Sequence, residues 1–333
     1  MTLDPKAASA IRNGFRPWVV TMSRRTDIAL HLDWVWDKIV RGGAYYQNPC
    51  NKTQIAYCSL DPRLVRVFQP WTKDPVALAP WIPRYQERGL PVSVFCTITG
   101  YPEFVEPGVP RPDAAVAALQ RMHRDYGVAI KWRYDPVFLA RGLDAAWHVE
   151  NVRRLAGELA GTVTEAVTSF VQVTGMYKEI EASFTAELAQ RGMPYHAASP
   201  AEMEDLLARL SAVCASEGIA LGVCCHPQLS AGAMARGCTQ AACISMSFLR
   251  QTRPDLQTLP LKPTREHCLC HESRDIGALN RCQHGCIYCY ANRGAAMCPE
   301  TTPIPPTAPW LGPDPLPPGY PYPVTEEALG LLQ

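Results

Sequence analysis

The sequence predicts an α/β protein whose parallel strands form a full or partial (β/α) TIM-like barrel. Apolar runs such as Trp18–Met22 alternate about six times with amphipathic segments, and the links between them are short. This alternation is typical of parallel strands joined by crossover helices. Polar residues recur where the predicted strands end, which is the face on which α/β barrels carry their sites.

The predicted elements are assigned from apolar periodicity and from turn residues. A hairpin is expected between Gly42 and Leu60, around the turn Asn48–Lys52. The predicted strands are Trp18–Met22, Val65–Phe68, Pro91–Ile98, Val128–Trp132, Ala166–Val173 and Ile219–Val223. The predicted helices are Ile28–Val40, Asp113–Tyr126, Ala146–Leu159 and Glu202–Glu217.

A change in composition divides the 333-residue chain. Residues 1–298 are expected to form the barrel domain, including a C-terminal cysteine-rich segment at about 264–298. Residues 299–333 are rich in proline. Such a composition does not favour a packed element, so we expect this tail to be extended or disordered.

Charge and hydropathy exclude several classes of function. The net charge is +1, so no general nucleic-acid surface is indicated and nucleic-acid binding is not expected. The N-terminus lacks the pattern of a signal peptide, and no apolar run reaches the length of a membrane span. The chain has 14 cysteines, and in a long chain without a signal these favour metal or redox use in a reducing cytoplasm.

Three cysteines lie in a C-x3-C-x2-C spacing at Cys282, Cys286 and Cys289. Three thiolates this close can hold three irons of a [4Fe–4S] cluster and leave the fourth iron open, because full ligation needs four cysteines. A structural zinc site usually shows a different ligand spacing. The alternatives are a zinc knuckle or unlinked thiols.

A second set of cysteines comprises Cys224, Cys243, Cys268 and Cys270. Four converging thiolates could hold a second iron–sulfur cluster, which would relay electrons or anchor a substrate. They could equally form a structural zinc site or serve as small buried apolar residues. Cys225 or Cys238 could replace Cys224 or Cys243 in this set.

Polar residues at the predicted strand ends are the candidates for substrate and cosubstrate contacts. Adjacent arginines can clamp a carboxylate or a phosphate. The alternatives are that Asp27 or Thr26 caps a helix, and that Arg133 and Asp135 form an ordering salt bridge. The main candidates are Arg24, Arg25, Asp27, Lys73, Arg133 and Asp135. Thr72, Thr97, Thr99, Gln172 and His226 occupy comparable positions.

The residues that flank the three cysteines resemble those of a known protein superfamily. Gly285 and Tyr288-Cys-Tyr290 make this loop similar to that of the radical S-adenosylmethionine (radical SAM) superfamily. The resemblance implies a partial (β/α)6 barrel and reductive cleavage of S-adenosylmethionine chelated to the open iron. It implies that Tyr288, Tyr290 and Asn292 contact this cosubstrate, with Tyr288 beside the adenine. It also implies a reducing partner such as flavodoxin or ferredoxin.

More specifically, the chain resembles an uncharacterised bacterial and archaeal family, a domain of unknown function related to radical SAM proteins. Its cysteine loop lies at the C-terminal end, and Ala29 stands where proline is expected. Cys225, Cys238 and Cys298 are additional to the pattern. The matching stretches are 23–28, 48–49, 71–75, 97–101, 132–136, 169–171, 268–270 and the cysteine loop.

These features favour an enzyme that acts on a small substrate. The sequence is also similar to radical SAM enzymes that form hydroxyarsinothricin by moving the 3-amino-3-carboxypropyl group of the cosubstrate onto trivalent arsenic. Surplus thiols at Cys225, Cys238 and Cys298 would suit arsenite, since thiolates prefer soft partners. The alternatives are lesion repair like that of spore photoproduct lyase, and a non-enzymatic zinc or iron–sulfur module or redox sensor.

Overall fold

A seven-stranded parallel sheet forms the centre of the protein. The computed structural model describes residues 4–49, 51–171, 178–227, 229–292, 303–312 and 315–324. The strands are β1 (Trp18–Met22), β2 (Gly43–Asn48), β3 (Asn51–Ser59), β4 (Val65–Thr72), β5 (Ser93–Thr97), β6 (Ala129–Val137), β7 (Leu139–Ala140), β8 (Glu165–Phe170), β9 (Tyr195–His196), β10 (Ala220–Val223) and β11 (Arg274–Asp275).

Helices connect the strands. Two short 3-10 turns, Ile28–Leu30 and Ala79–Trp81, precede the second and fourth helices. The helices are α1 (Pro5–Gly14), α2 (Leu32–Arg41), α3 (Pro75–Leu78), α4 (Ile82–Glu87), α5 (Pro112–Tyr126), α6 (Ala145–Leu159), α7 (Lys178–Gln190), α8 (Pro200–Ser216), α9 (Ala231–Ala235) and α10 (Met246–Thr252).

The strand order is β10-β8-β6-β5-β4-β1-β11, and every pairing in this sheet is parallel. The predicted α/β class with parallel strands is therefore confirmed. Strands β10 and β11 form the two edges, and no pairing closes them into a barrel within the described residues. The sheet is compatible with a partial barrel. The predicted hairpin is also confirmed, since β2 and β3 pair antiparallel.

The sheet is covered on both faces, and β1 shows how its sequence achieves this. All five residues of β1 are buried. Val20 and Met22 enter the large core under the helices, whereas Val19 packs in a second core with Trp71 and Phe95. A strand buried on both faces reads as a continuous apolar run, which is why the sequence marks it so clearly. The second core also contains four cysteines, which are described below.

The described part of the proline-rich tail lies against the domain without forming a helix or a strand. Trp310 is buried in a cluster with Ile11, Tyr45 and Tyr57. Arg281, directly before the cysteine loop, donates from its Nε to the carbonyl of Leu311 at 3.0 Å. The sequence did not reveal these buried contacts. No helix in the described ranges has the length and apolar character needed to cross a membrane.

Candidate functional site

A cavity lies at the carboxyl ends of the central strands, beside the loop that carries Cys282, Cys286 and Cys289. Its wall includes all six main polar candidates, namely Arg24, Arg25, Asp27, Lys73, Arg133 and Asp135. The three cysteines, Tyr288 and Tyr290 line the same cavity. Strands that run parallel bring their carboxyl ends to one edge of the sheet, which explains why residues so distant in sequence meet there.

Other sequence candidates are distributed differently. Thr72 and Thr97 line the cavity, whereas His226 is outside its wall. Asn292 is also outside it, and its side chain donates to the carbonyl of Cys282 at 2.8 Å. Asn292 therefore braces the cysteine loop. Gln172 and Cys298 lie outside the described residues.

Asp27 and His284 form a buried ion pair at the base of the cavity. The Nε2 of His284 is 2.8 Å from Oδ2 of Asp27, and its Nδ1 is 2.7 Å from the carbonyl oxygen of Gly108. A carboxylate and a carbonyl can only accept, so both ring nitrogens carry hydrogen and His284 is an imidazolium. Burial opposes this charge, yet the hydrogen bond to Asp27 raises the pKa of His284.

Asp27 also holds two backbone segments. Its Oδ1 accepts from the N–H of Ala29 at 2.9 Å, and its Oδ2 accepts from the N–H of Lys73 at 2.5 Å. Burial alone would raise the pKa of Asp27, but the hydrogen bonds from His284 and Lys73 leave it below its usual value. The capping alternative from the sequence is thus present in the structure. Asp27, which follows β1, also links the segment after β4 to the cysteine loop through its hydrogen bonds with Lys73 and His284.

Lys73, Glu106 and Tyr288 make a second polar group beside the cysteines. The Nζ of Lys73 lies 2.9 Å from Oε1 of Glu106, and the hydroxyl of Tyr288 donates to the same oxygen. Burial opposes the charge on Lys73, but the Glu106 carboxylate raises its pKa. The hydrogen bond to Glu106 therefore fixes the position of Tyr288 in the cavity wall.

The arginines of the cavity differ in how they are held. Arg133 pairs with Asp135, which also accepts from the hydroxyl of Ser169. Arg25 donates to the carbonyl of Gln47 at 2.9 Å and pairs with Asp275 at 3.5 Å. Arg24 makes no ion pair with a carboxylate among the described residues, and its buried Nη2 has no hydrogen-bond partner there. Arg24 is consequently the cation most available to an anionic group.

The cysteine loop has features that suit thiolate ligands. The backbone N–H of Ala291 lies 3.4 Å from Sγ of Cys289, and the backbone of His284 hydrogen-bonds to the sulfur of Cys282. Gly285 has a φ of 68°, a left-handed conformation that glycine adopts without strain. Burial raises the pKa of Cys282 to about 12 and that of Cys286 well above its usual value. These thiols would lose their protons on binding a metal.

The loop cysteines supply the three thiols that an iron–sulfur cluster with one open iron would require. The three cysteines line one cavity, and N–H···S hydrogen bonds of the kind found around such clusters are present. The adjoining space is lined by polar groups that could receive a cosubstrate. Across the ranges that the structure describes, no group of three or more His, Cys, Asp or Glu side chains is arranged so that it could hold a metal ion.

The second cysteine set converges on the other side of Trp71. Cys224, Cys243, Cys268 and Cys270 are buried in one apolar cluster, and Cys225 packs against it. The sulfurs of Cys224 and Cys243 are 3.9 Å apart. Cys238 lies elsewhere, in a small cluster with Leu207 and Leu229, so it does not replace a member of this set. None of these six cysteines is part of the cavity wall.

Two residues of the site were not recognised from the sequence. Glu106 follows no predicted strand, and it meets Tyr288 across 182 positions of the chain. His284 stands between two of the loop cysteines, where its position alone could have indicated a role. Its partner Asp27 is 257 positions away, so the ion pair itself was not visible in the sequence.

The fold and the site together define the class of this protein. It is an α/β protein with a parallel sheet and a cysteine-lined cavity at the strand ends. The chain belongs to the family described as a domain of unknown function, DUF1848, whose model matches residues 19–291. This match spans both cysteine sets and all six polar candidates. A comparison with curated proteins finds no match.

Proposed function

We propose that this protein is a radical SAM enzyme that cleaves S-adenosylmethionine reductively and acts on a small substrate in the cavity. The observation that carries the proposal is the convergence of Cys282, Cys286 and Cys289 on one cavity that also holds the strand-end charges. A [4Fe–4S] cluster bound by these three cysteines would supply the electron for cleavage of the sulfonium.

The other side chains at the cavity have separate roles in this proposal. Arg24 offers a guanidinium to a carboxylate of the cosubstrate or substrate, because it has no carboxylate partner of its own. Tyr288 presents a fixed aromatic face to the cosubstrate. Asp27 and His284 hold the cysteine loop against the ends of β1 and β4. Tyr290 donates to the carbonyl of Arg24 at 3.1 Å and so joins the loop to the arginine.

The narrower parts of the proposal rest on the sequence resemblance. They comprise a partial (β/α)6 barrel, a cytoplasmic location and electron supply from a flavodoxin or ferredoxin. Transfer of the 3-amino-3-carboxypropyl group onto arsenite is the narrowest part. Cys225 and Cys238 lie outside the cavity wall, so the cavity itself would have to receive arsenite without them.

The test uses anaerobically reconstituted, reduced protein incubated with S-adenosylmethionine. We expect iron and sulfide to be incorporated and the cosubstrate to be cleaved, with products identified by mass spectrometry. Methylthioadenosine together with a new arsenic-bearing amino acid, formed only when arsenite is present, would support the transfer reaction. 5′-Deoxyadenosine would support radical SAM chemistry on another substrate.

A matched pair of variants makes the test specific. Cys286→Ala removes a loop cysteine and should abolish cleavage, with a loss of at least about 100-fold, since the cluster loses a ligand. Cys214→Ala removes a buried cysteine of α8 that is remote from the cavity, and it should leave cleavage intact. Undiminished cleavage in Cys286→Ala would refute the assignment. A reconstituted cluster without any cleavage would favour a sensor or binding module.

A further inference from the structure

Five cysteine thiols pack together outside the cavity. Cys224 contacts Cys225 and Cys243, Cys243 contacts Cys270, and Cys268 contacts both Cys270 and Cys225. Each thiol thus has two thiol neighbours, and the five form a ring. They come from three separate segments of the chain, which follow β10, precede α10 and precede β11. We call them the five-thiol group.

We propose that four of these thiols, those of Cys224, Cys243, Cys268 and Cys270, bind one zinc ion as a permanent centre distinct from the loop cysteines. The distance between two of the sulfurs favours a single ion over a [4Fe–4S] cluster. Tetrahedral zinc with Zn–S bonds of about 2.3 Å places its sulfurs about 3.8 Å apart. The sulfurs of Cys224 and Cys243 are 3.9 Å apart. In a [4Fe–4S] cluster each thiolate binds a different iron, so the sulfurs stand further from one another.

The surrounding charge favours thiolates over neutral thiols. Arg24 lies close to Cys270, Cys243 and Cys268, and Arg133 lies close to Cys243 and Cys224. The buried Nη2 of Arg24 and Nε of Arg133 have no hydrogen-bond partner in the described structure. A buried cation needs a compensating charge, which Arg133 has in Asp135 and Arg24 lacks among the described residues. Four thiolates around one Zn²⁺ carry a net charge of −2, which the nearby guanidinium groups of Arg24 and Arg133 would partly offset.

Burial selects four of the five thiols. Cys224, Cys243, Cys268 and Cys270 are buried, whereas Cys225 is half-buried. The hydroxyl of Thr264 lies 3.7 Å from the sulfur of Cys268, and the backbone of Cys270 also hydrogen-bonds to that sulfur. Hydrogen bonds of this kind orient metal ligands. The ring is not a coordination shell among the described residues, so binding of zinc would require the four sulfurs to turn towards one centre.

The position of the five-thiol group indicates a structural role. None of its members lines the cavity, so a substrate there does not reach them. The group packs against Val19, Val67 and Phe95 on one face of the sheet. An ion at this place would fasten the three cysteine-bearing segments, which contain little regular structure, to the strands that carry the cavity. Such fastening contributes directly to folding free energy.

The metal content of purified protein tests this proposal independently of S-adenosylmethionine cleavage. The background is the triple variant Cys282→Ala, Cys286→Ala, Cys289→Ala, which lacks the loop cysteines, purified anaerobically without added metal. We expect about one zinc per chain and no stoichiometric iron, with four sulfur ligands at about 2.3 Å by X-ray absorption. Iron with sulfide in place of zinc, no bound metal, or zinc with nitrogen or oxygen ligands would each overturn the proposal.

Two single variants in that background assign the ligands. Cys243→Ser should lower the zinc content at least five-fold, whereas Cys225→Ser should retain it. Equal loss in both variants, or retention in Cys243→Ser, would contradict the assignment. If Cys243→Ser does not fold, the retained zinc of Cys225→Ser and the sulfur count of the background protein still decide the outcome.

Discussion

His148 shows how burial and two hydrogen bonds fix the charge of one side chain. It is fully buried in α6. Its Nε2 lies 2.8 Å from the carbonyl oxygen of Phe138, and its Nδ1 lies 2.8 Å from the hydroxyl of Tyr134. Burial lowers the pKa of His148 from 6.5 to about 4. The neutral ring, with hydrogen on Nε2, is therefore the form that the fold accommodates.

Acid should destabilise the protein through this residue. His148 binds a proton near pH 6.5 in the unfolded chain but only near pH 4 in the folded protein. Its contribution to the free energy of unfolding is therefore fully present above pH 6.5 and is lost as the pH falls towards 4. The loss is about 3 kcal/mol at most. Replacing His148 with Gln removes this titration. We expect the difference in unfolding free energy between wild type and His148→Gln to shrink from pH 7 to pH 4.5, measured by urea denaturation. A constant difference would contradict the proposed neutral state.

The site residues that the sequence identified are those whose chemistry is visible in short spacings. Cys282, Cys286 and Cys289 stand within eight positions, and Arg24 and Arg25 follow a recognisable strand. Glu106 could not be identified in this way, because its role depends on Lys73 and Tyr288, which only the fold brings beside it. The same applies to the electrostatic interaction of Arg24 with the five-thiol group.

At the scale of elements, the cysteine loop is held by close contact with the loop that precedes α5. The N–H of Gly108 donates to the carbonyl of His284 at 2.8 Å. A Cβ at Gly108 would lie 2.8 Å from the Cα of His284, which is closer than such atoms approach. The two loops therefore meet backbone to backbone, and only glycine fits at this position.

Substituting this glycine should displace the cysteine loop. We expect Gly108→Ala to lower the unfolding free energy by about 1–3 kcal/mol and to reduce iron incorporation on reconstitution. The control is Gly157→Ala in α6, where a Cβ meets nothing within 4 Å and helix propensity should raise stability by up to about 1 kcal/mol. Both properties are measured by denaturation and iron analysis. Equal behaviour of the two variants would show that the loop contact is unimportant.

Elements were predictable where burial imposes a pattern on the sequence. The prediction for β1 matches the structure at both ends, because its whole length is buried. Strand β11 was not predicted, since Arg274 and Asp275 carry no apolar signal and their pairing with β1 arises from tertiary contact. The predicted helix from Ile28 is divided into a 3-10 turn and α2 at His31.

At the scale of the whole molecule, the proline-rich tail connects the core near α1 to the cysteine loop. Trp310 fills the cluster on β2 and β3, and the carbonyls of Leu311 and Gly312 accept from Arg281. Arg281 directly precedes Cys282, so the first loop cysteine is held in part by the tail. A segment that composition marked as unstructured thus supports the candidate site.

Removing the Trp310 side chain should weaken both the core and the loop. We expect Trp310→Ala to lower the unfolding free energy by about 3 kcal/mol, because a large buried side chain leaves a cavity. Iron incorporation should fall with it. Leu261→Ala, at a side chain that is 59% exposed, is the control and should change stability by less than about 0.5 kcal/mol. A Trp310→Ala protein as stable as this control would contradict the described packing.

The order of the cysteines along the chain determines when they are synthesised relative to the strands of the sheet. All eight thiols of the loop and of the five-thiol group follow residue 223, where β10, the sixth strand of the sheet along the chain, ends. Synthesis proceeds from the N-terminus, and earlier segments can fold first. On the ribosome, six of the seven strands of the sheet are therefore synthesised before the first of these thiols. Under the proposed function, delivery of metal and sulfide would therefore be a late step, after the strands of the scaffold have been made.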